Sequence, residues 1–473
     1  MSHPLGKVHI VGIAGAGMSA YARLLLSQGA RVSGSDAKES KRLVALAAEG
    51  ATTFVGHSAT HVVNESGEAI VDTVCASTAV PAHNVELAAA REAGIRVLNR
   101  SELLCAITAP YRVVSVAGTH GKTTTTSMAT LVLQEAGLDP SFAIGSELNE
   151  TGSNAHLGTS DFFVVEADES DGTFLNINTE IGIITNVEPD HLNYWQSFDR
   201  IHEAFVEFCV KATVARSGVT VVCMDDSGAA AVAADAQLRG AKIATYGQSE
   251  SADFQIRNVS VDGIRFSADV YFEGQVWLSM SLQVPGIHNV LNATAAAVAA
   301  HFAGASTSDI EQGLRRFSGT RRRFDFKGEV AGVRVFDDYA HHPTEIAATL
   351  EAARQVAGSA RVVVAFQAHH YYRTALFSRE FGEALGKADF VVVLEVFAPG
   401  EEFIDGADGQ TLANNVPLPT ESVVFEPSWS AVTPHLVNAA QPGDIIMTLG
   451  AGEIGMLCPD IIAGLQERFI QNG

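Results

Sequence analysis

Arg112-Val-Val-Ser-Val-Ala-Gly-Thr-His-Gly-Lys-Thr-Thr-Thr-Thr-Ser127 is an apolar run that ends in a glycine loop and restarts as a helix-forming run. A strand that turns straight into a helix N-terminus presents free backbone N–H groups, and the helix dipole adds to their pull on phosphate oxygens. Gly118 and Gly121 let the backbone come close, with Thr119 and His120 between them. Lys122 supplies a point charge to the outer phosphates, and Thr123 or Thr124 can place a hydroxyl on Mg²⁺. The common phosphate loop, G-x-x-x-x-G-K-[ST], has a glycine five residues before Gly121. Val116 stands there, so this loop is a shorter variant.

Downstream, two apolar runs end in carboxylates. Val164-Val-Glu-Ala-Asp-Glu-Ser-Asp171 carries Glu166, and Ile183-Ile-Thr-Asn-Val-Glu-Pro-Asp-His191 carries Asp190 and His191. Ligands bind outside the carboxyl ends of strands in parallel sheets. Both ends are therefore expected near the loop, with Glu166 and His191 holding Mg²⁺ beside the phosphates. Asp168, Glu169 and Asp171 read equally well as ligands or as a solvated loop. Alternating residues over Ile264–Val284, around Glu273-Gly274, predict a hairpin.

Upstream, strands at Val8–Ile13, Arg31–Ser35, Ile70–Cys75 and Ile95–Leu98 alternate with helices at Gly17–Gln28 and Asn84–Ala93, which predicts a doubly wound parallel sheet. The turn Gly12-Ile-Ala-Gly-Ala-Gly-Met18, with Asp36 after the second strand, has the form of a dinucleotide fingerprint. Taken alone it favours NAD(P). A second, triphosphate-type loop shifts the balance toward another nucleotide, because a simple dehydrogenase has no use for it. Beyond Gly319, strands at Val333–Phe336, Val362–Phe366, Phe390–Leu394 and Ile445–Leu449 alternate with helices such as Glu345–Ala357. The fold class is α/β in three domains: Rossmann-like 1–108, a P-loop ATPase-like domain 109–318 with a mostly parallel sheet, and a second Rossmann-like domain 319–473.

The composition agrees. Of 473 residues, 47% are hydrophobic and 18% charged, enough for several cores. A net charge of −23 argues against nucleic acid and anionic membranes as partners. Five scattered cysteines without a C-x-x-C pair read as buried thiols of a reducing cytoplasm. No apolar stretch approaches the roughly 18–20 residues of a membrane span, and the N-terminal apolar run reads as a strand, not a signal peptide.

Taken in order, these motifs resemble the Mur ligase family over essentially the whole chain. The C-terminal part of the likeness rests on Arg322-Arg-Phe-Asp325, Asp337-Asp-Tyr-Ala-His-His-Pro343, Phe366-Gln-Ala-His-His-Tyr-Tyr-Arg-Thr374 and Leu449-Gly-Ala-Gly-Glu-Ile-Gly455, and its middle on His288-Asn-Val-Leu-Asn292. Among family members the motifs are nearest to those joining L-alanine to UDP-N-acetylmuramate with ATP, through an acyl phosphate. The resemblance implies that Gly12, Ala14, Gly15, Ala16, Gly17, Met18, Asp36, Ser77, Thr78 and Arg100 hold the UDP substrate. It implies that Gly118, Thr119, His120, Gly121, Lys122, Thr123, Thr124, His288, Asn292, Arg323 and Asp338 hold ATP. Two Mg²⁺ ions are implied on Thr123, Glu166 and His191. Tyr339, His341, His369 and Arg373 are implied to orient alanine, and Lys122, Glu166, His191, His341 and Arg373 to carry the chemistry. Domain closure, a monomer or homodimer, and a cytoplasmic role in cell-wall precursor synthesis follow from the same likeness. Three positions depart from the family pattern: Ala14 and Ala340 where glycine is usual, and His370 where arginine often stands. His341-His342 also reads simply as the residues before a helix starting at Pro343. The rival readings are a Mur-type ligase adding another amino acid or a tripeptide, an NAD(P)-dependent oxidoreductase, and a non-catalytic nucleotide-binding regulator.

Overall fold

The structure, a computed structural model, describes residues 3–77, 79–146, 148–150, 152–216 and 218–471. The chain forms two compact units, one of Met1–Asn258, Ala268–Met280 and Leu291–Phe317, the other of Val259–Ser267, Ser281–Val290 and Ser318–Gly473. The three-domain α/β architecture expected from the strand–helix alternation is present as three sheets.

The first sheet holds β1 (Lys7–Val11), β2 (Arg31–Asp36), β3 (Thr52–Val55), β4 (Thr73–Ala76) and β5 (Arg96–Leu98), in the order β3-β2-β1-β4-β5. Every pairing is parallel. The order reverses between β1 and β4, so the turn after β1 opens at the switch point where such sheets bind ligands. The expected strand at Ile70–Cys75 starts only at Thr73. The edge strand β3, Thr-Thr-Phe-Val, is short and half-exposed, and it lacks the apolar run that would have marked it.

The second sheet holds β6 (Arg112–Ala117), β7 (Ser141–Ala143), β8 (Ala155–His156), β9 (Phe162–Glu166), β10 (Thr179–Ile184), β11 (Val219–Cys223), β12 (Ile243–Gly247), β13 (Phe254–Asp262), β14 (Arg265–Phe272) and β15 (Gln275–Leu282). Their order is β15-β14-β13-β12-β11-β10-β6-β9-β7-β8. β6 lies between β9 and β10, parallel to both. That placement puts the ends of all three strands side by side. The predicted hairpin is two strands of a three-stranded set: Glu273 and Gly274 both take positive φ, as a two-residue turn of this kind requires, and β13 precedes them.

The helix Lys122–Glu135 is buried from Thr124 to Leu133. Its hydroxyls therefore turn inward on the helix. Thr126 Oγ1 donates to the Lys122 carbonyl at 2.8 Å, Ser127 Oγ to Thr123 at 2.7 Å and Thr130 Oγ1 to Thr126 at 2.8 Å. One core runs from Ile10 and Leu24 through Leu103 and Ile107 to Val113, Phe163 and Phe174, joining the first two sheets into one unit.

The third sheet holds β16 (Asp325–Val330), β17 (Val333–Asp338), β18 (Val362–Phe366), β19 (Phe390–Val393), β20 (Val423–Phe425) and β21 (Ile445–Leu449), in the order β16-β17-β21-β18-β19-β20. Only the β16–β17 pair among these is antiparallel. The helices Pro343–Ala357 and Tyr371–Leu385 begin just past the carboxyl ends of β17 and β18.

Candidate active site

The loop after β6 is tied to the segment after β10. The His120 amide donates to Asn186 Oδ1 at 2.8 Å, and Thr185 Oγ1 donates to the His120 carbonyl at 2.6 Å. The Glu188 amide donates to Thr119 Oγ1 at 2.9 Å. His120 Nε2 lies 3.7 Å from Glu188 Oε2. Both glycines are required by the fit. A Cβ on Gly118, at φ +127°, would lie 2.1 Å from Thr185 Oγ1, and one on Gly121, at φ +82°, would lie 2.7 Å from Asn292 Oδ1. Asn292, expected on the nucleotide, thus sits directly against the loop.

Lys122 Nζ donates to the Gly118 carbonyl at 2.7 Å and to both Glu169 oxygens at 2.9 and 2.7 Å. Glu169 is 3% exposed, so it is no solvated loop residue. Burial pushes its carboxyl up to about 7; the Lys122 ammonium opposes that, and the charge of Asp168 adds to it. His191 Nε2 lies 3.8 Å from Glu169 Oε1 and 3.6 Å from Asp190 Oδ2. Glu169 therefore joins Lys122 to His191, a partnership that the sequence offered only as one of several acids on a loop.

Glu166, at the end of β9, accepts the Gly145 amide at 2.8 Å. It lines a cleft with Gly17, Tyr21, Arg100, Gly145 and Asp168. Arg100 Nη2 donates to Asp168 at 2.9 Å and lies 3.6 Å from Asp171. Burial alone would raise Asp168, but Lys122 and Arg100 bring it down to about 2. The cleft thus has Glu166, Arg100 and Gly17 together, residues from two expected subsites.

In the N-terminal turn, the Gly12 and Ile13 amides donate to the Ser35 carbonyl and the Ala14 amide donates to Asp36 Oδ2 at 3.0 Å. Asp36 holds the turn's shape. Gly15 precedes the helix Ala16–Ser27. A Cβ on Gly12 would press on Ser77 Cβ at 3.0 Å. Met18 buries its side chain in the core. Thr78 lies outside the described residues.

In the second unit, Asp338 accepts the Phe324 and Ala340 amides, each at 2.7 Å, and burial lifts its carboxyl to about 6. Arg323 sits 5.3 Å from the Tyr339 ring and 3.7 Å from Glu345. Burial takes His288, His341 and His369 down to about 4. The Tyr339 and His341 rings lie 5.1 Å apart, those of His341 and His369 6.4 Å. Arg373 is 3% exposed. The four residues expected to orient alanine are thus neighbours: the Arg373 charge is among the causes that depress both histidines. His341 also serves the helix start, since the His341 and His342 amides both donate to Glu345 Oε2. His370, at the often-arginine position, pairs with Glu401. Arg322, which carried no assigned role, spans Asp337 Oδ2 and the Gly450 and Gly452 carbonyls at 3.0, 2.7 and 2.9 Å.

Residues 7–112, 116–300 and 322–452 match, in turn, the Mur ligase family catalytic domain, the Mur ligase middle domain and the Mur ligase glutamate ligase domain. A UDP-N-acetylmuramate–L-alanine ligase of Acidothermus cellulolyticus is 53% identical over 468 residues, covering 98% of this chain and 96% of that one. One from Mycolicibacterium smegmatis is 46% identical over 470 residues, covering 98% and 95%. Among solved structures, the UDP-N-acetylmuramate–alanine ligase of Thermotoga maritima superposes with a TM-score of 0.78 at 28% identity, covering 98% of this chain and 99% of that one. A murein peptide ligase of Psychrobacter arcticus gives 0.67 at 25%, covering 97% and 98%.

Proposed function

The chain belongs to the Mur ligase family, and from that premise we propose how its own residues join L-alanine to UDP-N-acetylmuramate at the expense of ATP in peptidoglycan precursor synthesis. The observation that carries this assignment is the Lys122–Glu169–His191 chain of contacts, whose members follow β6, β9 and β10, the three neighbouring strands of which β9 ends in Glu166. A carboxylate does not react with an amine at neutral pH, so it must first be activated. Transfer of the γ-phosphoryl group to the lactyl carboxylate needs charge neutralisation more than covalent help. The loop amides of Gly118–Thr124 cradle the phosphates, and Lys122 moves from Glu169 to the outer phosphate oxygens. Thr119, His120 and Thr124 shape the same loop.

Among the donors proposed near the loop, the Thr123 hydroxyl and the Glu166 carboxylate are hard oxygens that fit a divalent cation keeping several waters, as Mg²⁺ does, and the His191 imidazole would complete the set as its single nitrogen donor. Bound there, up to two such ions would neutralise charge between phosphate and carboxylate. Arg100, Gly17 and the Gly12–Gly15 turn hold the UDP-sugar, with Ser77 at the end of the neighbouring strand. His288, Asn292, Arg323 and Asp338 hold adenosine and phosphate. Tyr339, His341, His369 and Arg373 orient alanine, whose amine attacks the acyl phosphate; amide forms and phosphate leaves. His341 and His369 are neutral at physiological pH, which leaves Arg373 as the cation for the alanine carboxylate.

The domains run 1–108 for the sugar nucleotide, 109–318 for ATP and 319–473 for the amino acid. Among the described residues no helix is long and apolar enough to cross a membrane, in keeping with a cytoplasmic enzyme. The deciding experiment supplies UDP-N-acetylmuramate, ATP, Mg²⁺ and one amino acid or peptide at a time and measures phosphate release. Release with L-alanine and not with the tripeptide is expected; release only with the tripeptide would make the chain the recycling type of ligase instead.

A further inference from the structure

Away from that site, three imidazoles converge on one buried carboxylate beneath the first sheet. Glu86 lies in the first turn of the helix Val85–Glu92, and its side chain is fully buried. His61 Nδ1 is 2.5 Å from its Oε1, and His57 Nδ1 is 3.0 Å from Oε2. Ser35 Oγ donates to Oε2 at 2.6 Å. The fourth group is His9, from the middle of β1. Its side chain is also fully buried, and its Nε2 faces Glu86 Oε1 at 3.5 Å, within ion-pair reach and outside good hydrogen-bond geometry. A buried ring nitrogen held this loosely is poorly satisfied, and an ion between it and the carboxylate would satisfy both.

We propose that His9, His57, His61 and Glu86 form a binding site for a divalent transition-metal ion of the zinc class, separate from the ATP-associated cations. Ligand atoms of His9, His61 and Glu86 all lie within 4.8 Å of one another, a spread that a single ion closes with small side-chain movements. These three give an N₂O set, and His57, whose Nδ1 lies 3.0 Å from the other Glu86 oxygen and 3.0 Å from Ser35 Oγ, supplies the third imidazole by turning toward them; the resulting N₃O set suits tetrahedral zinc and does not suit Mg²⁺. The outer partners are those a metal-bound imidazole needs. Ser33 Oγ holds His9 Nδ1 at 2.9 Å and so turns Nε2 inward. Phe54 stacks on His61 with ring centroids 3.9 Å apart. Entry is through His57 and His61, whose side chains are 26% and 14% exposed.

The position gives the ion a consequence. Ser35 holds Glu86 with its side chain while its carbonyl accepts the Gly12 and Ile13 amides at 2.8 and 3.1 Å. An ion bound at Glu86 therefore also steadies the turn that faces the sugar nucleotide.

The test uses the full chain, stripped with a chelator and titrated with Co²⁺ in the absence of nucleotide. One Co²⁺ per chain with the intense visible absorption of tetrahedral cobalt, displaced by Zn²⁺, is expected. The band should persist in Glu166→Ala and disappear in Glu86→Gln. If Glu86→Gln does not fold, His57→Asn, at a part-exposed position, decides: Co²⁺ affinity should fall roughly tenfold or more. Absence of the tetrahedral band in the parent chain, its survival in folded Glu86→Gln, or unchanged affinity in His57→Asn would each overturn the proposal.

Discussion

Lys122 Nζ lies 2.7 Å from Glu169 Oε2 and the same distance from the Gly118 carbonyl, so the lysine of the glycine loop is tied both to its own loop and to a buried acid. On the proposed reading, triphosphate binding exchanges the Glu169 contact for phosphate oxygens. Glu169 then loses the charge that opposes its burial. Lys122→Ala is expected to lower phosphate release by on the order of a thousandfold, as for loss of a charge-stabilising donor, with the fold intact by circular dichroism. Glu169→Gln keeps the shape but weakens the resting hold on Lys122. It should bind ATP at least as tightly as the parent yet turn over more slowly. Near-normal release from Lys122→Ala would remove Lys122 from the reaction.

The C-terminal cluster separates two positions that the sequence left entangled. Arg373 is buried and close to His341 and His369, whereas His370 is engaged by Glu401 and precedes the helix Tyr371–Leu385 with φ +73°. Arg373→Lys should raise KM for L-alanine by roughly tenfold to a hundredfold, the range for losing a charge-assisted hydrogen bond of about 1.5–3 kcal/mol. His370→Arg restores the usual family residue next to an acid that can pair with it, and should change that KM by little. Steady-state kinetics with alanine varied would decide; a larger effect at His370 than at Arg373 would reverse the assignment.

Much of this was legible because parallel sheets put chemistry at strand ends. The loop after β6, Glu166 at the end of β9 and His191 after β10 could be named from apolar runs that stop at polar residues, and the sheet order places those ends together. Glu169 was not separable from Asp168 and Asp171 by the same reasoning, since burial at a strand end depends on what the rest of the chain lays over it. Asn186 and Glu188 sat inside a quoted motif, yet their bonds to His120 and Thr119 follow from the β6–β10 register and not from local pattern. The His9–Glu86 cluster gave no signal, because its four members are scattered across 78 positions of sequence that otherwise reads as strand, loop and helix.

Protonation should also tell on stability. Burial holds His288, His341 and His369 at about 4 in the folded chain, against an ordinary value of about 6.5. Between those values the unfolded chain binds more protons, so these residues make stability rise with pH and fall as the solution is acidified. Asp338, raised by burial to about 6, acts the other way: the folded chain keeps its proton above the ordinary carboxylate value, and that contribution is lost as pH rises toward 6. Glu169, raised by burial to about 7, acts in the same sense as Asp338, and the three histidines outweigh the two acids. Denaturant unfolding should therefore show lower stability at about pH 5 than at about pH 6.5, and His288→Gln should remove about one linked proton from that slope. An unchanged slope in His288→Gln would mean that this histidine titrates normally in the folded chain.

The tightest steric demand in the loop falls on Gly118. At φ +127° an added Cβ would meet Thr185 Oγ1 at 2.1 Å and the Asn186 carbonyl oxygen at 3.0 Å; the first donates to the His120 carbonyl and the second accepts the Thr119 amide. Neither neighbour can retreat without breaking a bond to the loop. Gly137, just beyond the Lys122–Glu135 helix, also has positive φ, at +71°, but nothing lies within 4 Å of its added Cβ. The pair separates backbone strain from collision. Gly137→Ala should cost about 1 kcal/mol for the strained backbone alone, and Gly118→Ala about 3 kcal/mol or more with overpacking added. Gly118→Ala should in addition lose ATP binding by calorimetry while Gly137→Ala retains it. Equal losses of stability in the two variants, with ATP binding kept in both, would show that the loop yields where the geometry says it cannot.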